Sequence, residues 1–284
     1  MTAQILSTFH LIPRLQRQAH EHKGHAGKVL IIGGAPGMAG AALLAGRAAL
    51  HAGAGWVILG FIDERAVSVL SDQPELMLRT AQVGDIAQIQ PDVIAIGPGL
   101  GQGDLAKRLL LESLRSTALL VIDADAINLI ATDPHLLSQL KARPSLSTVL
   151  TPHPGEAANL LKETTEQIQA DREVAIQKLV ELTQSIVVLK GHHTLVYAPD
   201  QAMQECHRGN PGMGVGGMGD VLTGITAAIL AQGIRHNLNA YEATCLAVEL
   251  HSGAADNLLN QGVGPIGMTP SEVILEVRNL INIK

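Results

Sequence analysis

The sequence predicts an α/β fold: a central, mostly parallel sheet with helices on both faces. Three observations carry that expectation. Short aliphatic and β-branched runs recur along the chain, apolar at every position rather than at alternate ones, as strands covered on both faces must be. Segments with helical spacing separate them, the alternation expected of a parallel sheet. Glycines cluster where a run passes into the next helical segment.

Taken in order, Lys28–Ile32 (KVLII) is a buried-strand pattern that runs into the loop GGAPGMAG. Ala41–Ala52 then repeats small and aliphatic residues at helical spacing. Trp56–Leu59, Val93–Ile96, Leu119–Ile122, Thr148–Leu150 and Ile186–Leu189 are further strand-like runs. Asp104–Leu114, Pro134–Ala142 and Thr165–Leu182 are amphipathic helices between them. Leu195–Tyr197 and Met203–Cys206 form a hairpin at a sheet edge, and Val221–Ala231, Asn239–Leu259 and Pro270–Ile281 are three closing helices. No linker divides the chain, so residues 1–27 are expected to lead into a single domain over 28–284.

Composition excludes several functions. With 46% hydrophobic residues among 284, the chain can bury a core and is not disordered. A net charge of −6 without a basic run argues against nucleic acid, and 2% aromatic residues leave little for a base-stacking platform. Two cysteines make neither a disulfide framework nor a four-ligand zinc site. The N-terminus lacks the basic-then-apolar order of a signal peptide. No uncharged apolar run reaches the ~18–20 residues of a membrane span. A cytoplasmic enzyme is expected.

The glycine loops carry the chemistry. GGAPGMAG matches neither the dinucleotide fingerprint nor a P-loop. A literal G-x-G-x-x-G at Gly212, Gly214 and Gly217 has no strand before it and leads into Asp220, whose charge would repel a pyrophosphate. The stretch GNPGMGVGGMGDVLTG (Gly209–Gly224) makes better sense as an anion cradle. Gly216, Gly217 and Gly219 let the backbone approach, and a helix starting near Gly219 points unpaired N–H groups outward. Asp220 then either accepts a proton from a substrate hydroxyl or caps the helix.

GPGLGQG (Gly97–Gly103) and DADAIN (Asp123–Asn128) each follow a strand, at the sheet edge where α/β proteins bind ligands. Either aspartate could orient a metal-bound phosphate, or Asp125 could cap the next helix. In TPHPGE two prolines bracket His153 and fix its backbone for substrate contact. Lys190–Thr194 (KGHHT) closes a strand with an ammonium, a hydroxyl and N–H groups suited to a nucleotide phosphate. Neighbours His192 and His193 should point to opposite faces of an extended segment, so no protein-held metal site is expected. His20, His22 and His25 are expected to be solvated.

In this order, GGAPGMAGAALLAGRAALHAGAG, GPGLG, DADAIN, TPHPGE, VVLKG and GNPGMGVGGMGDVLTG resemble the ADP/ATP-dependent NAD(P)H-hydrate dehydratases, a branch of the ribokinase-like superfamily. The resemblance runs from about Gly27 to Gly253. It implies repair of hydrated NADH or NADPH (the S form): ADP, or ATP, with Mg²⁺ phosphorylates the ring hydroxyl, and phosphate then leaves. By the same resemblance Asp220 is the base, and Ala39, Gly40, Gly101, His153 and Asp220 lie by the hydrate. Lys190, Gly191, His192, His193, Thr194, Asn210, Gly216, Gly217 and Gly219 meet the nucleotide. Val215 stands where the family often has Ser or Thr. A functional epimerase partner is expected on a separate chain, since only about 27 residues precede the match, and a homo-oligomer, a tetramer, is expected. The alternative is a ribokinase-like small-molecule kinase of the hydroxyethylthiazole or hydroxymethylpyrimidine type.

Overall fold

Ten strands form one open sheet in the computed structural model, which describes residues 2–283. In chain order they are β1 (Gln4–Ile5), β2 (Lys28–Gly33), β3 (Trp56–Phe61), β4 (Met77–Thr80) and β5 (Val93–Ile96), then β6 (Leu119–Ile122), β7 (Thr148–Leu150), β8 (Ile186–Leu189), β9 (Thr194–Tyr197) and β10 (Gln204–Cys206). Their spatial order is β1-β10-β9-β8-β7-β6-β5-β2-β3-β4. Every neighbouring pair from β4 to β8 is parallel, while β9 is antiparallel to both β8 and β10. The expected mostly parallel sheet and its edge hairpin are both present.

Eleven α-helices cover the sheet: α1 (Ala39–His51), α2 (Asp85–Ile89), α3 (Asp104–Arg115), α4 (Ala124–Thr132), α5 (Pro134–Lys141), α6 (Pro154–Leu161), α7 (Thr165–Ala170), α8 (Arg172–Thr183), α9 (Met218–Gly233), α10 (Ala240–Asn260) and α11 (Pro270–Ile281). Alternate strand residues feed two cores: Val29 and Ile31 join α1, α9, α10 and α11, whereas Leu30 and Ile32 join the layer of α3 to α8. That division is why the central strands read as unbroken apolar runs. The small residues of α1, which suit either a subunit interface or a core, are core here: Ala42, Ala45, Ala48 and Ala49 are buried.

Several elements differ from expectation. The helix expected over Thr165–Leu182 breaks at Asp171, which leaves helical geometry and accepts from Val174 N as the cap of α8. TPHPGE is not a free turn but the start of α6, with Pro154 in the first helical turn, where its missing N–H costs nothing. β4 carries Arg79 and is only half-buried, so its composition hid it. Ahead of β2, β1 pairs with β10, and Leu11 and Leu15 enter the core. Residues before 28 are therefore woven into the α/β body.

The close packing of α1 on α9 depends on a glycine. A methyl on Gly224 would stand 2.1 Å from the Ala45 carbonyl oxygen and 2.8 Å from Ala48 Cβ. Gly224→Ala should therefore force the helices apart and destabilise the fold by about 2–3 kcal/mol. Chemical denaturation measures it; a loss below about 0.5 kcal/mol would show that the pair slides freely.

Along the chain, β2, β3 and β4 progress towards one edge, whereas β5 returns to the other side of β2. Beyond the carboxyl ends of β2 and β5 lies the switch point where open α/β sheets bind ligands. The loops there are tied together: Gly34 N donates to Pro98 O at 3.0 Å and Ala35 N to Gly99 O at 2.6 Å.

Candidate active site

The strands β2, β5, β6, β7 and β8 end at one edge, and each delivers a predicted segment there. Ala39 and Gly40 open α1 just past β2, and a Cβ on Gly40 would meet open space. Gly101, at φ +71°, donates its N–H to Asp125 Oδ2 at 2.8 Å, so Asp125 fixes the loop after β5. Asp123 follows β6, His153 follows β7 and Lys190 follows β8.

Lys190 is the centre of the arrangement. Its ammonium lies 2.8 Å from Asp123 Oδ1 and 3.9 Å from Glu156 Oε2. Asp123 is 1% exposed and also accepts from Thr151 Oγ1 and Thr223 Oγ1, each at 2.8 Å. This anchors β6, β7 and α9 to one carboxylate. Burial alone would lower the Lys190 pKa, but Asp123, Glu156 and Asp220 together hold it above the ordinary value. The ammonium stays charged, as a buried cation among carboxylates must.

His153 and Glu156 form a reciprocal cap. The His153 Nδ1 accepts from Gly155 N and Glu156 N, while Glu156 Oε2 accepts from His153 N at 2.8 Å. Two N–H groups on Nδ1 fix the proton on Nε2, which lies 3.2 Å from Glu156 Oε1. Burial and the Lys190 charge keep His153 below its ordinary pKa, so the ring is neutral. Burial pushes Glu156 up to about 7 against the pull of Lys190. The histidine side chain remains 56% exposed and free to meet a ligand on its outer face.

Asp220 stands in the first turn of α9 and does not cap it. The capping position is Gly217, at φ +98°, with no side-chain cap hydrogen bond. Among the described residues no donor engages the Asp220 carboxylate. Burial and the charge of Asp123 raise its pKa to about 6, opposed by Lys190. An unpaired, half-buried carboxylate with its pKa near neutrality is suited to taking a proton. Around it, a Cβ on Gly216 would meet nothing, whereas one on Gly219 would stand 3.2 Å from Lys190 Nζ. The bare backbone of a sixteen-residue helix therefore opens an anion cradle directly above an ammonium.

Not every predicted residue joins this centre. Thr194 Oγ1 donates to Gly191 O at 3.2 Å, closing its own turn. The Asn210 side chain accepts from Gly212 N and donates to Asp256 Oδ1, a local brace. Val215 is 45% exposed and offers no hydroxyl. His192 and His193 do not diverge as expected: His193 has φ +57°, and their rings stack at 4.0 Å. A left-handed residue breaks the extended geometry on which the expectation rested. His20 and His22 are exposed, as expected, whereas His25 is half-buried, its Nδ1 accepting from His22 N to close a short turn.

Sequence reasoning missed Glu156, Thr151 and Thr223, which hold the charged centre, and Arg172. The Arg172 guanidinium donates to the carbonyls of Leu189, Lys190 and His193 and so moulds the loop after β8. The first and fourth letters of H-P-G-E were a capping-box signal for Glu156; nothing local pointed to Arg172, since it acts across two elements.

A sheet with this order, bearing glycine loops and an unpaired carboxylate at its carboxyl edge, is of the ribokinase-like class. The chain belongs to the NAD(P)H-hydrate dehydratase family, whose model matches residues 29–279. It is 38% identical over 286 residues to the ADP-dependent (S)-NAD(P)H-hydrate dehydratase of Neisseria meningitidis, covering 98% of this chain and 94% of that protein. It is 40% identical over 279 residues to the bifunctional NAD(P)H-hydrate repair enzyme of Coxiella burnetii. The match covers 96% of this chain but 54% of that relative, so the chain spans about half of the bifunctional protein. Among solved structures, the ADP/ATP-dependent NAD(P)H-hydrate dehydratase of Bacillus subtilis, co-crystallised with ATP/Mg²⁺, superposes with a TM-score of 0.84 at 26% identity, covering 99% and 98% of the two chains. The family is the dehydratase one, not that of the small-molecule kinases.

Proposed function

We propose that this chain dehydrates the S form of hydrated NADH or NADPH, using ADP or ATP as phosphoryl donor. The observation that carries the mechanism is the unpaired Asp220 carboxylate beside an open glycine turn at the head of α9. Asp220 takes the proton of the ring hydroxyl. The freed oxygen bonds to the terminal phosphorus of the nucleotide, and the bond to the departing AMP (from ADP) or ADP (from ATP) breaks. Hydroxide is a poor leaving group and phosphate a good one. The ring nitrogen's lone pair then expels phosphate, and the adjacent carbon gives up a proton to restore the double bond. Backbone N–H groups at Gly216–Gly219 and the Lys190 ammonium stabilise charge on the phosphoryl group in flight.

The acidic residues present suit Mg²⁺ arriving on the nucleotide rather than in a protein cage. Asp123 is committed to Lys190 and two threonines, and Asp125 to Gly101, leaving Asp220 as the aspartate of this centre without a partner among the described residues. Mg²⁺ typically keeps several waters and binds through one or two carboxylates plus substrate phosphates. When bound, it would neutralise phosphate charge.

Ala39, Gly40, Gly101 and His153 flank the hydrate in this reading, with Lys190, Gly191, His192, His193, Thr194, Asn210, Gly216, Gly217 and Gly219 on the nucleotide side. The outward face of His153 supports its part, as does the open space at Gly40. His153→Ala should raise KM for the hydrate several-fold and leave KM for the nucleotide nearly unchanged, with about 1 kcal/mol lost from the α6 cap. A rise confined to the nucleotide KM would move His153 to the other side.

The proposal extends to a functional epimerase on a separate chain, a homotetramer and a cytoplasmic site of action. Among the described residues no helix is long and apolar enough to cross a membrane. The deciding experiment incubates the protein with hydrated NADH, Mg²⁺ and either ADP or ATP. Nucleotide-dependent recovery of the reduced nicotinamide's near-UV absorbance is the expected result. No recovery with either nucleotide would sink the reading; sedimentation velocity reads the assembly.

A further inference from the structure

We propose that the open end of the β9–β10 hairpin is a binding site for a divalent first-row transition metal, with His193, Glu205 and His207 as ligands. The antiparallel register brings these residues together. Glu205 pairs with Leu195 and Cys206 with Thr194, so one step further His207 lies opposite His193. Alternation along the strands puts Glu205 and His207 on one face and leaves Cys206 on the other. The Cys206 side chain is buried, and the three ligands share the accessible face.

One ligand atom from each residue lies within 4.8 Å of the others. Glu205 Oε1 is 3.5 Å from His193 Nδ1, and Glu205 Oε2 is 2.7 Å from His207 Nε2. Tetrahedral zinc with bonds of about 2.0–2.1 Å separates its ligands by about 3.3 Å, so each side chain needs to move by roughly 1 Å or less. The side chains are 39%, 30% and 42% exposed for His193, Glu205 and His207, which leaves room for that motion and for water in the open position.

The rings of His193 and His207 stack at 4.4 Å with planes 8° apart, and His192 stacks on His193, so metal binding turns an imidazole within the stack to bring both in-plane lone pairs onto the ion. The left-handed turn at His193 aims its ring towards β10 rather than along β9. Arg172 donates to the His193 carbonyl and so braces the backbone that carries this ligand. Two imidazoles and a carboxylate without thiolate suit Zn²⁺ or Co²⁺ rather than Mg²⁺ or Ca²⁺. Glu205 and His207 have no part in the proposed reaction, whereas His193 is shared with its nucleotide side; direct metal titration reads this site without turnover.

Calorimetric titration of the metal-free protein with Zn²⁺, and visible absorption on adding Co²⁺, test it. One saturable site per chain is expected. It should weaken by about tenfold or more in each of His193→Ala, Glu205→Gln and His207→Ala, and remain in His22→Ala. The Co²⁺ spectrum should lack a thiolate charge-transfer band. Circular dichroism checks that each variant folds, and Glu205→Gln, nearly isosteric, decides the matter if an alanine variant does not. No saturable binding below about 1 mM, or wild-type binding in all three variants, overturns the assignment. A thiolate band would overturn it too, by placing the metal on a cysteine.

Discussion

Asp220→Asn should reduce turnover by roughly 10²- to 10⁴-fold, the contribution of a positioned general base, while leaving nucleotide binding intact. The amide keeps the size of the side chain but cannot take the hydroxyl proton. In the unmodified protein, activity should rise with pH through about 6 as Asp220 deprotonates. That acidic limb should vanish with the substitution. Residual turnover above a tenth of the original rate at saturating nucleotide would remove Asp220 from the role.

The same variant reads out the cost of holding a carboxylate there. The folded-state pKa of Asp220 is raised from 3.8 to about 6. The folded protein therefore binds more protons than the unfolded chain between those values, and stability falls as pH rises across that window. Above it the penalty is complete; below the unfolded value it is absent. Loss of the favourable charge at the head of α9 offsets part of the relief, by about 0.3–1 kcal/mol. Asp220→Asn should thus be more stable than the parent by on the order of 1 kcal/mol at pH 8 and show no gain near pH 3.5. Equal stabilities at pH 8 would mean that the carboxylate is solvated after all.

Lys190→Met should be the most damaging single substitution in the site. It leaves Asp123, 1% exposed, with two threonine donors and no cation. Removing one member of a buried ion pair costs about 3–5 kcal/mol, because the other charge stays desolvated. Adding Asp123→Asn should recover a large part of the loss, since the amide still meets the threonines and carries no charge. With the ammonium gone, Glu156 and Asp220 should titrate at higher pH, moving the acidic limb of activity upward. Urea denaturation of the single and double variants, with the pH profile of any remaining activity, checks both points. A loss under 1 kcal/mol would show that Lys190 is solvated and the carboxylates independent of it.

Much of this architecture was legible because the signals are local. A strand covered on both faces has no polar position to spare, so β2, β5, β6 and β8 announce themselves as KVLIIG, VIAI, LLVI and IVVL. β4, carrying Arg79 at a half-buried edge, and the two-residue β1 have no such constraint and were not seen. Helix α6 was hidden because proline normally speaks against a helix, except in its first turn.

At the site, the glycines before α9 and Asp220 were readable together. A plain cap does not need several glycines ahead of it, and the structure bears this out in giving the cap to Gly217. The stacking of His192 and His193 was not readable. It depends on a left-handed backbone at His193, a conformation that a non-glycine residue adopts only where its surroundings enforce it.

The opposite lesson comes from Lys190. From sequence it was a free phosphate ligand, whereas in the fold its ammonium balances Asp123 and Glu156, some 67 and 34 residues away in the chain. The sequence by itself determined the layered α/β class, the glycine loops at the carboxyl edge of the sheet and the aspartate at the head of α9, because hydrophobic periodicity and glycine spacing act over a few residues. Only the tertiary structure decided which charges meet, since Coulomb attraction and desolvation depend on distance and burial that the parallel sheet alone creates.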